Sequence, residues 1–404
     1  MEPTRRRSRS TSSAVVVAVV VLFARGAYAQ DAEVDPAAPQ PAVQFDYGLR
    51  GVASLDGQKG YGNANAVGTV DISDTYAYAR ARAPMFAPEQ RAGAMFAVTF
   101  PDQFYEPGTL LVAEANAFYE TRWLSFRLGR GRIASQVVPM PTFRDDDMIR
   151  FSGAQNPFTD GRSTADHQYG NVVEAAAWAT PRLFAQVHLE NLSNFVLQPQ
   201  ALSSFTLNSY GLMLGYRQLP SLARMSVVRR IAVGVNTYRV DLPSQDVLVD
   251  AVAGAWINLV PDPVHTVDWR VQAIYDRGTP SLGITTLPDT FRAEQAMITS
   301  SLGYEYRREM LPTIRTNLIG AYKRYVKDGI DQVTVATNVF YALGATTEIG
   351  LQYQFRSRVG IPEAFGDDFA HSVKIGLIVA LDGTTTPIFA ERNSLLNVES
   401  GYLP

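Results

Sequence analysis

The feature that most constrains the fold of this chain is an alternation of apolar and polar side chains that recurs from Val43 to Leu381. It is clearest in Thr347–Arg356, where Thr, Ile, Leu, Tyr and Phe alternate with Glu, Gly, Gln, Gln and Arg. Leu183–Glu190 and Val264–Asp276 repeat the pattern. A period of two puts successive side chains on opposite faces of a β-strand. The chain is therefore predicted to be all-β, with about sixteen strands (roughly 14–18) that each have one apolar and one polar face.

The first 29 residues are predicted to be a cleaved secretion signal. Four arginines between positions 5 and 9 precede an aliphatic run at Ala14–Ala24, and small residues on both sides of Tyr28 suit a signal peptidase. The aliphatic run is too short to span a bilayer as a helix, and a retained N-terminal anchor is the alternative. The predicted organisation is a signal at 1–29, a periplasmic leader at 30–41, a barrel at 42–381, and a tail at 382–404 that is periplasmic or adds a strand.

Composition narrows the classes of protein to consider. The 404 residues are 46% hydrophobic and 19% charged, and they include no cysteine. This balance excludes wholesale disorder, and the lack of cysteine excludes a disulfide framework and Cys-bound zinc. A net charge of −3 gives no general attraction for nucleic acid. We therefore expect neither a nucleic-acid partner nor a cofactor.

The predicted connections between strands alternate in length. Those after even-numbered strands are mostly short, as at Glu120-Thr121 and Gly344-Ala345. Those after odd-numbered strands are longer and include Leu55–Val67, Gly131–Gly170, Asn191–Ser203, Arg277–Ala293 and Ser357–Phe369. Short turns on one rim and long loops on the other are typical of an outer-membrane barrel with both termini in the periplasm. Together with the secretion signal, this pattern favours a transmembrane antiparallel β-barrel in the outer membrane of a Gram-negative bacterium.

Aromatic side chains on the apolar faces are expected to form belts at the two membrane interfaces. The predicted periplasmic belt contains Phe45, Tyr47, Tyr216, Tyr304, Tyr306 and Tyr341, and the predicted outer belt contains Trp269 or Tyr275, Tyr322, Tyr353 and Phe355. His265 and His371 share the apolar parity close to strand starts, so both are expected to be interfacial rings. The alternative is that Tyr and Phe are simply good strand formers.

In its architecture the mature chain resembles Gram-negative porins, with sixteen strands, short inner turns and a very long third outer loop. The segment Leu124–Arg130 (LSFRLGR) and the tripeptide Asn156-Pro157-Phe158 are also similar to parts of substrate-specific porins of the alginate-export type. The resemblance implies that the third loop, here Gly131–Gly170, folds inward and narrows the channel, and it implies a homotrimer. The chain departs from the family pattern because it continues past Leu381 instead of ending on a strand closed by Phe or Trp.

The predicted pore constriction combines luminal arginines with charges of the long loop. Alternation points Arg80, Arg82, Arg127, Arg230, Arg270 and Arg315 into the lumen, and the loop contributes Arg132, Arg144, Asp145, Asp146, Asp147 and Arg150. Opposed charges across a narrow pore create a field that selects solutes by charge. The alternative is that they are surface charges with salt-bridge partners. A divalent cation at Asp145–Asp147 is a weaker alternative, because the run lacks spaced ligands.

These features predict a channel for passive diffusion of small hydrophilic solutes, with a slight lean to anions. Its partners would be outer-membrane lipids and the solutes themselves. No enzymatic activity is expected, because Asp166-His167 near Ser163 is the only conceivable catalytic arrangement and nothing orients it. Two alternatives stay open. One is a non-conducting barrel with a structural or hydrolytic role, and the other is a soluble secreted all-β protein that buries its apolar faces in a core.

Overall fold

The computed structural model describes residues 43–60, 63–71, 76–85, 90–99, 111–121, 123–132, 138, 169–180, 182–191, 209–218, 222–239, 247–279, 293–308, 311–326, 329–344, 346–359 and 369–384. The predicted signal, the leader and most of the third loop lie outside these residues, so they stay predictions. Within the described part of the chain, no helix is long and apolar enough to cross a membrane.

Nearly all of the described residues belong to β-strands. The strands are β1 (Gln44–Gly60), β2 (Asn63–Asp71), β3 (Tyr76–Pro84), β4 (Arg91–Thr99), β5 (Leu111–Glu120), β6 (Leu124–Arg132), β7 (Tyr169–Trp178), β8 (Leu183–Asn191), β9 (Ser209–Arg217), β10 (Val228–Arg239), β11 (Val247–Val260), β12 (His265–Thr279), β13 (Ala293–Arg308), β14 (Leu311–Tyr325), β15 (Ile330–Ala342), β16 (Thr347–Val359) and β17 (Phe369–Thr384).

The strands form one antiparallel sheet that closes on itself. From β3 onward each strand pairs with the next in the chain, and β17 pairs with β1. β1 is long enough to pair with β2 through residues 54–60 and with β3 through residues 44–50. β2 and β3 therefore share one position, and the ring has sixteen strand positions. The predicted antiparallel barrel of about sixteen strands is confirmed.

The two faces of this sheet are inverted relative to a soluble protein. The outer face exposes large apolar side chains, among them Leu128, Val187, Leu212, Val233, Leu302, Leu318, Val335, Leu351 and Ile375. The inner face buries polar side chains, among them Gln186, Gln272, Thr299, Asn338 and Gln352. An apolar surface of this extent requires lipid or a partner to cover it. The soluble alternative called for apolar faces buried in a core, which is the opposite arrangement.

Two boundaries differ from the sequence prediction. The predicted long loop at Leu55–Val67 is wrong, because β1 continues to Gly60 and pairs there with β2. The glycines and small side chains of this segment hide the alternation, although backbone pairing does not require it. At the other end, β17 runs to Thr384 rather than Leu381, and its pairing with β1 closes the ring. Residues 385–404 lie outside the described part, so the role of the tail stays a prediction.

Candidate functional site

The strand ends define two rims of the barrel. At the short-turn rim lie the connections 85–90, 121–123, 179–182, 218–227, 261–264, 309–310 and 343–346. At the opposite, long-loop rim lies the longest connection, 133–168, between β6 and β7. Brief connections at 61–62 and 326–329 also lie at the long-loop rim. Loop length is therefore largely sorted between the rims as the sequence predicted, with these two exceptions and the ten-residue connection 218–227 at the short-turn rim.

The structure places the predicted luminal arginines on the inner face. Arg80, Arg82, Arg127 and Arg230 are buried there, whereas Arg270 and Arg315 are partly exposed. The remaining predicted residues fall outside the described part, namely the side chain of Arg132 and all of Arg144, Asp145, Asp146, Asp147 and Arg150. The role of both groups in a constriction therefore stays a prediction.

One described residue of the long connection, Val138, lies inside the barrel. Val138 is fully buried, and its backbone N–H donates to Oε1 of Gln272 on β12 at 3.0 Å. It belongs to a hydrophobic cluster with Ile319 of β14 and Ala336 of β15. A residue that follows β6 thus reaches the inner side of distant strands. The course of the rest of the connection is not described, so the inward-folded loop stays a prediction.

Arg127 on β6 is held in a buried ion pair. Its Nη2 donates to Oε2 of Glu174 on β7 at 2.6 Å, and its Nη1 lies 3.9 Å from Oε2 of Glu114 on β5. Asn116 donates through Nδ2 to the same oxygen of Glu114 at 3.1 Å. All of these side chains are at most 5% exposed. The charge of Arg127 is therefore balanced within the wall formed by three neighbouring strands.

A second group of charges lies on the inner face near the short-turn rim. We call it the mouth cluster, and its members are Arg224, Arg229, Trp256, Asp268, Arg270, Glu305 and Arg307. The guanidinium carbons of Arg270 and Arg229 lie 4.1 Å and 4.7 Å from the centroid of the Trp256 ring. Such contacts are attractive, because the face of an indole ring is electron-rich. Four guanidinium groups face two carboxylates, so the cluster carries net positive charge.

Asp268 is fixed by neighbours on two strands. Its Oδ2 accepts hydrogen bonds from Nε1 of Trp256 at 2.5 Å and from Nε of Arg270 at 2.9 Å. Gly303 makes room for this carboxylate from the adjacent strand, since a Cβ at that position would lie 2.1 Å from Oδ1 of Asp268. The glycine therefore allows the carboxylate to approach β13 closely.

Glu305 is shared by two other arginines of the cluster. Its Oε1 accepts from Nη2 of Arg224 at 2.7 Å and from Nε of Arg307 at 2.6 Å. Arg229 is different, because among the described residues its guanidinium forms no ion pair with a carboxylate. Its Nε and the Nη1 of Arg224 are buried atoms without a hydrogen-bond partner in this part of the chain. The cluster thus retains donors that its own carboxylates do not satisfy.

A β-bulge explains why Arg229 lies inside next to Arg230. The register between β10 and β11 shifts between Val228 and Arg230, so Arg229 is an extra residue on β10. A bulge bends the strand and redirects a side chain that strict alternation would place on the other face. Sequence reasoning identified Arg230 and missed Arg229. The signal that could have revealed it is the arginine pair itself, because an arginine on the lipid face of a barrel is destabilising.

The connection between β9 and β10 is held against the inner face by Asn258 of β11. Its Nδ2 lies 2.8 Å from the carbonyl oxygen of Ala223, 3.0 Å from that of Arg224 and 2.6 Å from that of Ser226. Asn258 is 1% exposed. This contact allows Arg224 to reach past β11 and β12 to Glu305 on β13. Sequence reasoning missed Arg224, because its position depends on contacts between distant parts of the chain.

Aromatic rings surround His265 near the short-turn rim. The ring of His265 stacks on Tyr306 with centroids 5.1 Å apart, and its Nδ1 lies 3.0 Å from the hydroxyl of Tyr304. Of the two alternatives offered for the outer belt, Trp269 or Tyr275, the strand bounds favour Tyr275. Trp269 is only four positions into β12 from the short-turn rim, whereas Tyr275 lies toward the long-loop rim. Alternation alone predicts the face on which a residue lies, whereas its depth in the membrane depends on where the strand begins.

A matching cluster lies near the long-loop rim. The Nδ1 of His371 lies 2.7 Å from the hydroxyl of Tyr353. The rings of Phe355 and Phe369 have their centroids 5.1 Å and 5.7 Å from that of His371. Rings with one polar atom and a large apolar area suit the headgroup region of a membrane. The two histidine clusters therefore support an interfacial role for both residues.

Metal and catalytic sites receive no support from the described residues. No group of three His, Asp or Glu side chains in that part of the chain could hold a metal ion. The Asp166-His167 pair and Ser163 lie outside it, and the side chain of His188 is not described. That the chain needs no cofactor and catalyses no reaction stays a prediction.

Comparisons with known proteins identify the fold. No protein-family model and no curated protein matches the chain. Among solved structures it is similar to an anion-selective porin from Comamonas acidovorans, at 10% identity and a TM-score of 0.61, over 84% of this chain and 100% of that chain. It is also similar to the outer membrane channel DcaP of Acinetobacter baumannii, at 13% identity and a TM-score of 0.56, over 84% and 97% of the two chains.

A third similar structure is OprB of Pseudomonas putida, at 8% identity and a TM-score of 0.54, over 83% of this chain and 94% of that chain. At these identities the likeness concerns the fold. The chain has the porin fold, which is a fold of the Gram-negative outer membrane, and the predicted porin-like barrel is confirmed at that level.

Proposed function

We propose that this chain is an outer-membrane channel through which small hydrophilic solutes diffuse passively, with a preference for anions. The observation that carries the proposal is a closed ring of sixteen strand positions with an apolar outer face and a polar inner face. Lipid covers such an outer face, and a ring of this size leaves an aqueous passage between the inner side chains.

Two features of the inner face support selection by charge. Arginines line the inner face at the predicted constriction positions, although Arg127 is balanced there by Glu174. In the mouth cluster, four arginines face two described carboxylates. A positive potential in a narrow passage raises the local concentration of anions. The buried contact of Val138 with Gln272 supports a third loop that enters the lumen and narrows it. The net charge of −3 is spread over the whole chain and acts less strongly on solutes inside the pore.

The test is conductance of the detergent-folded protein in a planar bilayer, with the reversal potential recorded under a salt gradient. We expect discrete conductance steps and a reversal potential on the anion side. The fraction of folded barrel is measured first by the mobility of unheated and heated samples on a gel. A folded barrel that never conducts would overturn the channel and favour a structural or hydrolytic role.

Assembly is tested with the same preparation. The full chain has a mass of 44.4 kDa. If the predicted signal is removed from each protomer, the homotrimer implied by the porin resemblance has three times the mass of the remaining chain. Light scattering that separates the mass of protein from that of detergent measures it. A monomeric mass combined with normal conductance would remove the trimer and leave the channel intact.

A further inference from the structure

We propose that Arg229, together with Nη1 of Arg224, forms a binding subsite for an oxyanion, either a carboxylate or a phosphate group, at the short-turn mouth of the barrel. The subsite rests on the proposed channel function and makes it more specific, because it gives a passing solute a place to bind. It differs from the predicted constriction in its residues. Neither Arg229 nor Arg224 belongs to the predicted constriction, although Arg270 of the mouth cluster does.

The first argument is the charge that the mouth cluster leaves unbalanced. Arg270 shares Asp268 with Trp256, and Arg224 shares Glu305 with Arg307. Each of these carboxylates therefore already has two donors on one oxygen. Arg229 lies within electrostatic range of both carboxylates, yet forms an ion pair with neither.

The second argument is repulsion. Arg229 is also within electrostatic range of Arg224 and Arg270, so three cations crowd one side of the lumen. Placing a half-buried guanidinium beside two others is unfavourable unless an anion joins them. A bound oxyanion would neutralise the excess and supply acceptors for Nε of Arg229 and Nη1 of Arg224, which have no hydrogen-bond partner among the described residues. A guanidinium group binds carboxylate and phosphate particularly well, because two of its N–H groups fit two oxygens.

The third argument is that the fold holds the donors in place. The bulge in β10 turns Arg229 inward, and contact with the Trp256 ring restricts its guanidinium. Asn258 binds the connection that carries Arg224. Donors that are ordered before binding lose less conformational entropy when the ligand arrives. Bulges in sheets also occur preferentially beside functional sites.

The experiment measures binding without requiring conduction. The detergent-folded protein is titrated with inorganic phosphate, and separately with succinate, at constant ionic strength set with chloride. The variants are Arg229→Gln and a matched control, Arg324→Gln, which is 53% exposed near the long-loop rim. We expect Arg229→Gln to weaken binding about tenfold, as the loss of a charge-assisted hydrogen bond would. Arg324→Gln should change it less than about twofold.

Thermal unfolding of the same proteins provides a second readout. Phosphate should raise the unfolding temperature of the unmodified barrel and have little effect on Arg229→Gln, because a ligand stabilises only a state that binds it. Without phosphate, Arg229→Gln should be at least as stable as the unmodified barrel, since it removes a repelled cation. The subsite would be overturned if Arg229→Gln bound phosphate and succinate as tightly as the unmodified barrel does. A marked loss of stability in Arg229→Gln without phosphate would also overturn it. Failure of conductance alone would contradict the channel and leave the binding result standing.

Discussion

Arg127, in the wall formed by β5–β7, and Arg229, at the short-turn mouth, project from the same inner face into opposite surroundings. Arg127 is 2% exposed and lies against carboxylates on both neighbouring strands. Arg229 is only half-buried, lies on an indole ring, and has no carboxylate bound to it among the described residues. Depth explains the first arrangement, because a cation removed from water is tolerated only with a counter-charge. The second arrangement is possible because the mouth remains in contact with water.

The comparison separates two uses of arginine in one barrel. In the wall, Arg127 is part of the structure and contributes little net charge to the lumen. At the mouth, the four arginines of the mouth cluster outnumber the two carboxylates described there, which leaves a formal positive surplus. The number of arginines on an inner face is therefore a poor measure of selectivity unless their partners are counted.

The largest expected effect comes from removing the partner of Arg127. Glu174→Ala should lower the free energy of unfolding by about 3–5 kcal/mol, because it leaves a buried cation poorly compensated. The matched change at the mouth, Glu305→Ala, should cost less, about 1–2 kcal/mol, because Glu305 and Arg224 keep about a fifth of their surface in contact with water. Urea unfolding of the detergent-folded barrels measures both. Equal losses would contradict the difference between wall and mouth.

A smaller loss is expected when the connection at the mouth is released. Asn258→Leu removes an amide that three carbonyl oxygens share, at a cost of about 1–3 kcal/mol. Arg224 should then lose its fixed position beside Glu305, and phosphate affinity should fall with it. The measurements are urea unfolding and phosphate titration. A destabilised barrel with unchanged phosphate affinity would show that Arg224 does not belong to the subsite.

Trp256→Phe should have a still smaller effect. Phenylalanine keeps an aromatic face for Arg229 and Arg270 but cannot donate to Asp268. We expect a loss of about 1 kcal/mol in stability. Phosphate affinity should be largely retained, which a titration checks. Trp256→Leu serves as the control, because it removes the aromatic face as well and should weaken binding further.

The smallest effect is expected in the turn 261–264. Backbone N–H groups of His265 and Val264 donate to Oδ1 of Asp262 and hold the pKa of that carboxyl below its usual value. Its contribution to stability is therefore present above the ordinary carboxyl pKa and is lost as pH falls through the lowered one. Asp262→Asn keeps an acceptor and removes the titration. The free energy of unfolding of Asp262→Asn should be lower than that of the unmodified barrel at neutral pH. The difference should shrink in acid, where Asp262 itself is protonated. Urea unfolding between neutral and acidic pH measures this change.

Much of the barrel could be predicted from the sequence because alternation is a local property. Strands such as β12 and β16 show their two faces directly in the order of their residues. The inner-face position of Arg80, Arg127 and Arg315 follows from that parity. β1 was harder, because its glycine-rich second half pairs through the backbone and carries little side-chain signal.

The mouth cluster could not be predicted in the same way. The inward position of Arg229 requires a bulge, which adds one residue and reverses the parity beyond it. The position of Arg224 requires Asn258, which lies 34 residues further along the chain. Arg127 has a carboxylate partner because β7 brings Glu174 close to it. Arg229 lies on the Trp256 ring instead, because of the strands that pair around it.

The sequence by itself determined the period of the strands, the apolar and polar faces, and the sorting of short and long connections between two rims. These are properties of residues that are close in sequence, so they can be predicted without knowing which strands pair. Only the tertiary structure decided the register, the bulges and the partners of each charge. The reason is physical, because the energy of a charge depends on the distance to other charges and on its contact with water. Both are set when strands that are far apart in the chain come together.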